Sequence, residues 1–374
     1  MKMLNVGITG QNGFIGTHLY NTLGLNPEQY ELVFFNKTFF DSDEGLDSFV
    51  AQCDVIIHLA AMNRHSNPDT IYNTNIQLVD KLLASLIRTD SNAHIVMSSS
   101  SQEEKNNLYG KSKRDGRILF RNWTQTSKGS FTGLIIPNVF GAFGRPNYNS
   151  VVATFCYKVA NNEVPEVHKD SLLSLIYVGE LVDAIREVID KGKAVEKLVI
   201  KPTSQLKVTE LLVLLNSFKS EYQDNGEIPE INSVFQLNLF NTFRCYMDIK
   251  NFFPKRIKQY EDARGSFVEL IRLGIGGQVS FSTTVPGITR GNHFHTRKIE
   301  RFVVIKGKAL IQLRRIGTNE VLNFYLDGKE PAYVDMPIWY THNIKNIGED
   351  VLFTNFWINE PYNSEDTDTF FEDV

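Results

Sequence analysis

The sequence lacks most of what would take it out of the ordinary globular class. It has only three cysteines, Cys53, Cys156 and Cys245, odd in number and far apart, so no disulfide framework is expected. No apolar run approaches the ~20 residues that span a bilayer. The N-terminal stretch carries no secretory apolar core with a small-residue cleavage site. A net charge of -4 leaves no footprint for nucleic acid or an anionic membrane. Internal repeats and low-complexity tracts are missing too. These absences point to a soluble, cytoplasmic protein with neither nucleic acid nor membrane as a partner.

What remains is an average globular composition, 42% hydrophobic and 22% charged. The 374 residues exceed one ordinary core, so two or three domains of ~100–200 residues are expected. Up to residue 200, β-branched runs at 4–8, 32–35, 55–59, 94–97, 133–136 and 197–200 alternate with helical patterns such as 13–23, 75–88 and 110–121. This alternation predicts a Rossmann-type, doubly wound α/β parallel sheet. Past residue 260 the texture changes. Short strands at 267–271, 278–284, 302–313, 323–326, 332–335 and 352–357 are separated by turn residues and show no helical period. They predict an all-β jelly-roll barrel. Residues 207–258 begin as a helix at 208–218 and then read as aromatic and irregular, the end of the first domain plus a connector. The expected domains are 1–245 and 258–374, with the acidic segment 363–374 packed over the barrel.

The first strand leads into Gly10, Gly13 and Gly16, which open a helix. Glycines at this spacing allow a tight turn, close approach of a pyrophosphate, and close helix–strand packing, with helix N–H groups facing the phosphates. An acidic residue at the end of the second strand would hold the ribose 2′-hydroxyl of NAD. Asn36 and Lys37 stand there instead. They suit the 2′-phosphate of NADPH, and an ordinary solvated lysine is the competing reading. Further on, the strand ending in Ser98-Ser99-Ser100 precedes Tyr109 and Lys113, four apart and so on one helix face. A lysine ammonium beside a phenol is expected to lower the phenol's pKa. Tyr109 then protonates a carbonyl oxygen as hydride reaches the carbon, Ser100 hydrogen-bonds the same oxygen, and Lys113 holds the nicotinamide ribose.

The densest constellation lies in the second domain. His293 and His295 share a strand face, Glu300 follows, and His342 comes later between Pro337 and Asn346. Three of the chain's 8 histidines fall here. Three imidazoles and a carboxylate suit a divalent metal, Zn²⁺ first, or Fe, Mn or Ni with open positions. Tyr340 and Lys306 are candidate acid/base groups, with core packing and surface solvation as the competing readings.

The glycine triad, the run from Val55 to Ala61, the serine strand and the Tyr109/Lys113 pair resemble the extended short-chain dehydrogenase/reductases that act on nucleotide sugars. That resemblance places Phe14, Ile15, Leu59 and Ala60 with the glycines, Tyr109 and Lys113 at the cofactor, and Asn138 beside the sugar-nucleotide diphosphate. It departs at Ile135, where the family often has arginine. His58 is expected to be structural. Family members that remove water carry an acidic pair directly after the Ser100 equivalent. Ser101 and Gln102 follow here, which favours simple carbonyl reduction.

Gly287, His293, His295, Glu300 and Gly307, then Pro337, His342 and Asn346, resemble the two cupin motifs. Trp339 replaces a usual glycine, and Pro331 stands where another is common. The segment from Asp262 to Phe267 resembles the opening strand of sugar-epimerising cupins. Arg264 and Arg290 then become diphosphate contacts, or simply solvated arginines.

A reductase followed by a single cupin, including the stretch from Arg145 to Lys158, is similar to the bifunctional capsule-precursor enzymes of UDP-N-acetyl-L-fucosamine synthesis. The resemblance implies C3 epimerisation of a UDP-2-acetamido-2,6-dideoxy-4-hexulose by the cupin. NADPH-dependent reduction at C4 then gives the L-talose sugar, with Arg145 among the substrate contacts. Cupins commonly pair, so a homodimer is expected. The competing readings are an epimerase or dehydratase that retains NAD and has a sugar-binding cupin, a cofactor-sensing regulator, and a cupin oxygenase.

Overall fold

The computed structural model describes residues 3–262, 265–268, 276–360 and 363–374, with the strands between 259 and 268 described by their backbone alone. Packing divides the chain into two compact units, residues 1–151 with 169–208, and residues 152–168 with 209–374. Among the described residues no helix is long and apolar enough to cross a membrane.

The first unit holds strands β1 (Leu4–Thr9), β2 (Tyr30–Val33), β3 (Val55–His58), β4 (His94–Ser100), β5 (Ser130–Ile136), β6 (Asn138–Phe140), β7 (Leu172–Tyr177), β8 (Val195–Val199) and β9 (Ser204–Lys207). Its helices are α1 (Phe14–Gly24), α2 (Asp43–Gln52), α3 (Pro68–Arg88) and α4 (Leu108–Trp123). Helix α5 (Val151–Ala160) belongs to the second unit, and α6 (Val178–Lys191) returns to the first. Six strands form one sheet in the order β2-β1-β3-β4-β5-β8, with all pairings parallel. Strands buried on both faces need apolar side chains at successive positions. Val55, Ile57 and Val96 point to the layer of α1 and α6, whereas Ile56, Ile95 and Met97 point to that of α2, α3 and α4. Each such side chain removed from water contributes roughly 1.5–3 kcal/mol. The strand order reverses between β1 and β3, which opens a crevice at their carboxyl ends. Strands β6, β7 and β9 form a separate small sheet. The run expected at 32–35 is displaced, because Tyr30 is buried in the core while Phe34 is exposed.

The second unit contains α5, α7 (Val208–Phe218), α8 (Val234–Arg244) and α9 (Ile249–Phe252). Its strands begin with β10 (Lys255–Arg256), β11 (Gln259–Asp262), β12 (Gly265–Val268), β13 (Gln278–Thr284), β14 (Thr289–Phe294), β15 (Glu300–Lys306) and β16 (Lys308–Arg315). They end with β17 (Val321–Asp327), β18 (Ala332–Met336), β19 (Tyr340–Asn346), β20 (Leu352–Ile358) and β21 (Phe370–Phe371). Two five-stranded sheets result, β10-β18-β15-β20-β13 and β17-β16-β19-β14-β21, the double-sheet jelly roll expected.

The strand expected at 302–313 is two strands, because Gly307 takes φ +93 between them. The strand expected at 267–271 lies partly outside the described residues. The stretch after 218 is not an irregular connector. In α8, Leu239, Phe240 and Phe243 are fully buried, Asn241 Nδ2 donates to the Arg297 carbonyl at 2.9 Å, and Arg244 Nη2 donates to that of Met336 at 3.0 Å.

A buried ion pair fastens this helical segment to the barrel. Arg301 Nε and Nη2 meet the two Asp335 oxygens at 2.8 and 3.1 Å, with both side chains at most 1% exposed. Tyr222 donates its hydroxyl to Asp335 at 2.5 Å, and Arg301 Nη1 donates to the Gly226 carbonyl at 3.0 Å. Removing one partner strands the other charge, so Asp335→Ala should lower stability by about 3–5 kcal/mol in urea unfolding. The apolar pair Arg301→Met with Asp335→Leu should recover most of that loss.

Candidate active site and metal centre

Gly10 has φ +79, and a Cβ there would lie 2.8 Å from the Ala60 nitrogen. At Gly16 a Cβ would lie 2.2 Å from the Gly10 carbonyl oxygen. Gly13 N donates to that same carbonyl at 2.9 Å. Helix α1 begins at Phe14 with no capping side chain and no acid in its first turn, the kind of start that leaves backbone N–H groups for an anion. Across the switch point, Leu59 N donates to the Thr9 carbonyl at 3.1 Å and Ala60 N to the Thr9 hydroxyl at 3.4 Å. His58 is buried against that hydroxyl at 2.9 Å, and burial together with the Lys113 charge pushes it down to about 3. Its role is structural.

Gln11 Nε2 donates to the Phe35 carbonyl at 2.9 Å and ties the glycine loop to the end of β2. Beyond it Asn36 and Lys37 are exposed. The Asn36 carbonyl oxygen caps a local turn, accepting from Thr38 N at 3.0 Å and its hydroxyl at 2.9 Å. Lys37 remains an exposed cation next to that turn. The uncapped helix start and the Gly10 cradle fit a dinucleotide.

Asn107 starts α4, accepting from Gly110 N at 2.7 Å. The Lys113 ammonium lies 5.9 Å from the Tyr109 ring centre and donates to the Ser98 carbonyl at 2.9 Å. Helix face and strand end are thus brought together. Ser100 ends β4, and its oxygen accepts from Gln102 N at 3.1 Å, leaving its O–H as a donor. The expected lowering of the phenol pKa does not occur. Burial pushes Tyr109 up to about 12, with Tyr148 adding to the effect, and pushes Lys113 down to about 8. Desolvation outweighs an ammonium already engaged by a carbonyl. Tyr109 therefore keeps its proton at neutral pH, the form a proton donor needs. Glu103, the first acid after Ser100, is committed to Arg117 at 2.9 Å and to the Ser99 hydroxyl.

Asn75 was not anticipated. It accepts from Met62 N at 2.6 Å, and its amide donates to the Met62 carbonyl at 2.9 Å and to Ser112 Oγ at 3.0 Å, joining the loop after β3 to α4. The signal was present, since Asn75 interrupts the apolar stripe of Ile71, Val79 and Leu82.

Among the candidate substrate contacts, Asn138 is exposed on β6. Arg145 is exposed with its guanidinium 5.0 Å from the Tyr148 ring centre, and Arg64 grips the same loop through the carbonyls of Asn147 and Tyr148. Arg290 is exposed on β14 and donates to the Thr283 carbonyl at 3.1 Å. Arg264 lies outside the described residues.

The cupin residues converge. Ligand atoms of His293, His295, Glu300 and His342 all lie within 4.8 Å of one another. Glu300 Oε2 is 3.9, 3.2 and 3.1 Å from Nε2 of His293, His295 and His342. The far nitrogens are anchored, His295 Nδ1 on the Asp368 carbonyl at 2.5 Å and His342 Nδ1 on the Tyr340 carbonyl at 3.1 Å. With a metal bound, each would carry its hydrogen on Nδ1 and turn the Nε2 lone pair inward, where Nε2 now meets Glu300. Burial and the His342 charge push His293 down to about 4. Burial alone would raise Glu300, but hydrogen bonds from His295 and His342 hold it well below the usual carboxylate range. Three imidazoles and an ionised carboxylate converging on one point fit a divalent cation, which would take the place of the protons they share.

Trp339 takes φ +60, the conformation its usual glycine would supply. Its N–H donates to the His295 carbonyl at 2.8 Å and its ring stacks on Phe294. Tyr340 contributes its carbonyl to this set, while burial pushes its phenol up to about 12. Lys306 ends β15 at the far end from Glu300, roughly 20 Å away at strand rise.

Two outcomes follow from this geometry. His342→Ala and Glu300→Gln should each reduce bound Zn²⁺ from about one per chain to a trace, as read by elemental analysis after dialysis. Lys113 binds its proton less tightly when folded, about 8 against 10.5. The unfolded chain therefore holds more protons between those values, and this group's contribution to stability rises with pH there. Denaturant melts from pH 7.5 to 9.5 should show that slope in the wild type, reduced in Lys113→Met.

Residues 6–200 match the NAD dependent epimerase/dehydratase family, and residues 260–370 match the polysaccharide biosynthesis C-terminal domain. A Pseudomonas aeruginosa protein named UDP-2-acetamido-2,6-beta-L-arabino-hexul-4-ose reductase is 31% identical over 99% of this chain and 98% of its own length. The crystal structure of the capsular polysaccharide assembling protein CapF from Staphylococcus aureus aligns at 33% identity and a TM-score of 0.64, covering 99% of this chain and all of that one. A Thermotoga maritima UDP-glucose 4-epimerase, 20% identical with a TM-score of 0.52 over 58% of this chain and 83% of its own, shares the fold. The chain belongs to the NAD dependent epimerase/dehydratase family, in the CapF-like form that continues into a polysaccharide biosynthesis C-terminal domain.

Proposed function

We propose that the chain is a cytoplasmic, homodimeric, bifunctional enzyme of capsule or surface polysaccharide precursor synthesis, in the UDP-N-acetyl-L-fucosamine route. Its cupin domain, 258–374, epimerises a UDP-2-acetamido-2,6-dideoxy-4-hexulose at C3. Its reductase domain, 1–245, reduces the C4 ketone to give UDP-2-acetamido-2,6-dideoxy-L-talose. The observation that carries the reductive half is Tyr109, half-buried on the same face of α4 as Lys113, whose ammonium lies 5.9 Å from its ring centre. The name of the Pseudomonas relative supports the 4-keto substrate.

The glycine loop and the start of α1 would hold NADPH, which when bound would supply hydride to C4. Tyr109 donates the proton that the developing alkoxide needs, and the free O–H of Ser100 hydrogen-bonds the same oxygen. Lys113, fixed by Ser98, orients the nicotinamide ribose, and Lys37 answers the 2′-phosphate. Asn138 and Arg145 face the sugar nucleotide, with Arg290 and Arg264 serving the cupin end. Ser101 and Gln102 directly follow Ser100, and Glu103 is tied to Arg117, so no acidic pair stands in the position that water removal uses.

In the cupin, the 4-ketone acidifies the C3 hydrogen, and its removal and return on the opposite face inverts C3. His293, His295, Glu300 and His342 would hold a divalent ion, Zn²⁺ by donor set, which supplies Lewis acidity or braces the barrel.

The test follows NADPH absorbance with a UDP-4-keto-6-deoxy-HexNAc in D₂O. The wild type should oxidise NADPH and place deuterium in the sugar ring. Tyr109→Phe should lose oxidation by about 10²–10⁴-fold while deuterium still enters. Turnover on tightly held NAD, without added NADPH, would replace this reading with the NAD-retaining epimerase.

A further inference from the structure

Residues 363–374 hold none of the four candidate ligands, yet they are bonded to the segment that does. Strand β21 pairs with β14, with Phe371 opposite His293 and Phe370 opposite Phe294. Glu372 N donates to the Asn292 carbonyl at 3.0 Å, and Asn292 Nδ2 donates to Asp373 Oδ1 at 2.7 Å.

Asp368 is the centre of this strap. It is 4% exposed and has φ +40, a left-handed conformation that disfavours any side chain. Its carbonyl oxygen accepts from His295 Nδ1. One carboxylate oxygen accepts from Thr296 N at 3.0 Å and the Thr296 hydroxyl at 2.6 Å. The other accepts from Arg297 N at 3.0 Å and Lys298 N at 3.1 Å. Three successive backbone N–H groups thus converge on one carboxylate, and they form the turn that spaces His295 from Glu300. A strained backbone persists where both its ends are held, and here they are.

We infer that Asp368 is a positioning residue for the metal centre, fixing the His295 tautomer through its carbonyl and the His295-to-Glu300 spacing through its carboxylate. This rests on the reading of that cluster as a metal site. Partners of this kind tune metal affinity by about 10–100-fold.

The experiment measures Zn²⁺ affinity of the full chain by competition with a chromophoric chelator, and melting in EDTA and in Zn²⁺. Asp368→Asn keeps the carbonyl but removes the charge and one acceptor oxygen. Thr296→Ala removes only the hydroxyl contact. The expected result is Zn²⁺ binding weaker by 10–100-fold in Asp368→Asn and by less in Thr296→Ala, with the Zn²⁺-induced rise in Tm shrinking in that order. Wild-type affinity in both variants, with only the metal-free Tm lowered, would show a purely structural strap and overturn the inference. A wild type that fails to bind Zn²⁺ would instead overturn the metal reading, and this inference with it. Should Asp368→Asn not fold, Thr296→Ala and Asp368→Glu decide the matter.

Discussion

Charge held away from water is the constraint on which both units depend. Lys113, Glu103 with Arg117, Glu300, Arg301 with Asp335, and Asp368 are all nearly inaccessible. A buried ion without an answering group is costly enough to change protonation or unfold its surroundings. Each of these has its answer: a carbonyl for Lys113, a guanidinium for Glu103, imidazoles for Glu300, and a row of backbone N–H groups for Asp368. The compensation is directional, so it fixes geometry as well as stability. Asp335 holds Arg301 in β15, and the adjacent residue in that strand is Glu300. The ion pair and the ligand therefore share one rigid backbone.

Much of this was legible in the sequence where the chemistry is local. The glycines at 10, 13 and 16 declare their turn because only close backbone approaches demand that spacing, and Gly10 and Gly16 show those approaches. Tyr109 and Lys113 sit one helical turn apart. His293 lies in β14, His295 just beyond it and Glu300 at the start of β15, the next strand along the chain, and their ligand atoms meet. Even the Trp339 substitution pointed to the right place, because a glycine motif position marks a left-handed residue whichever side chain occupies it.

What stayed hidden depends on distance along the chain or on burial. Asp368 follows His295 by 73 residues, and no motif links them. Tyr222 and Asp335 are 113 apart. Helix α8 carries Phe240, Phe243 and Asn241 in a stretch that composition alone reads as irregular, and it takes its order from the barrel it packs on. The direction of the Tyr109 shift was misjudged for a related reason. Spacing reveals that a lysine is near, but only the packed interior reveals that the lysine is buried, that the phenol is half-buried, and that the lysine already serves Ser98.

The displaced ionisation of Tyr109 also bears on reversibility. Running the reaction backwards, from alcohol to ketone, needs the phenolate as base. A group titrating at about 12 offers that form in only roughly one molecule in 10⁵ at pH 7. The same desolvation that keeps the donor loaded for the forward step raises the pH at which the return step finds its acceptor. The balance of ketone and alcohol is untouched, since the chain speeds both directions alike; what the shift sets is the pH at which each direction finds Tyr109 in the form it needs.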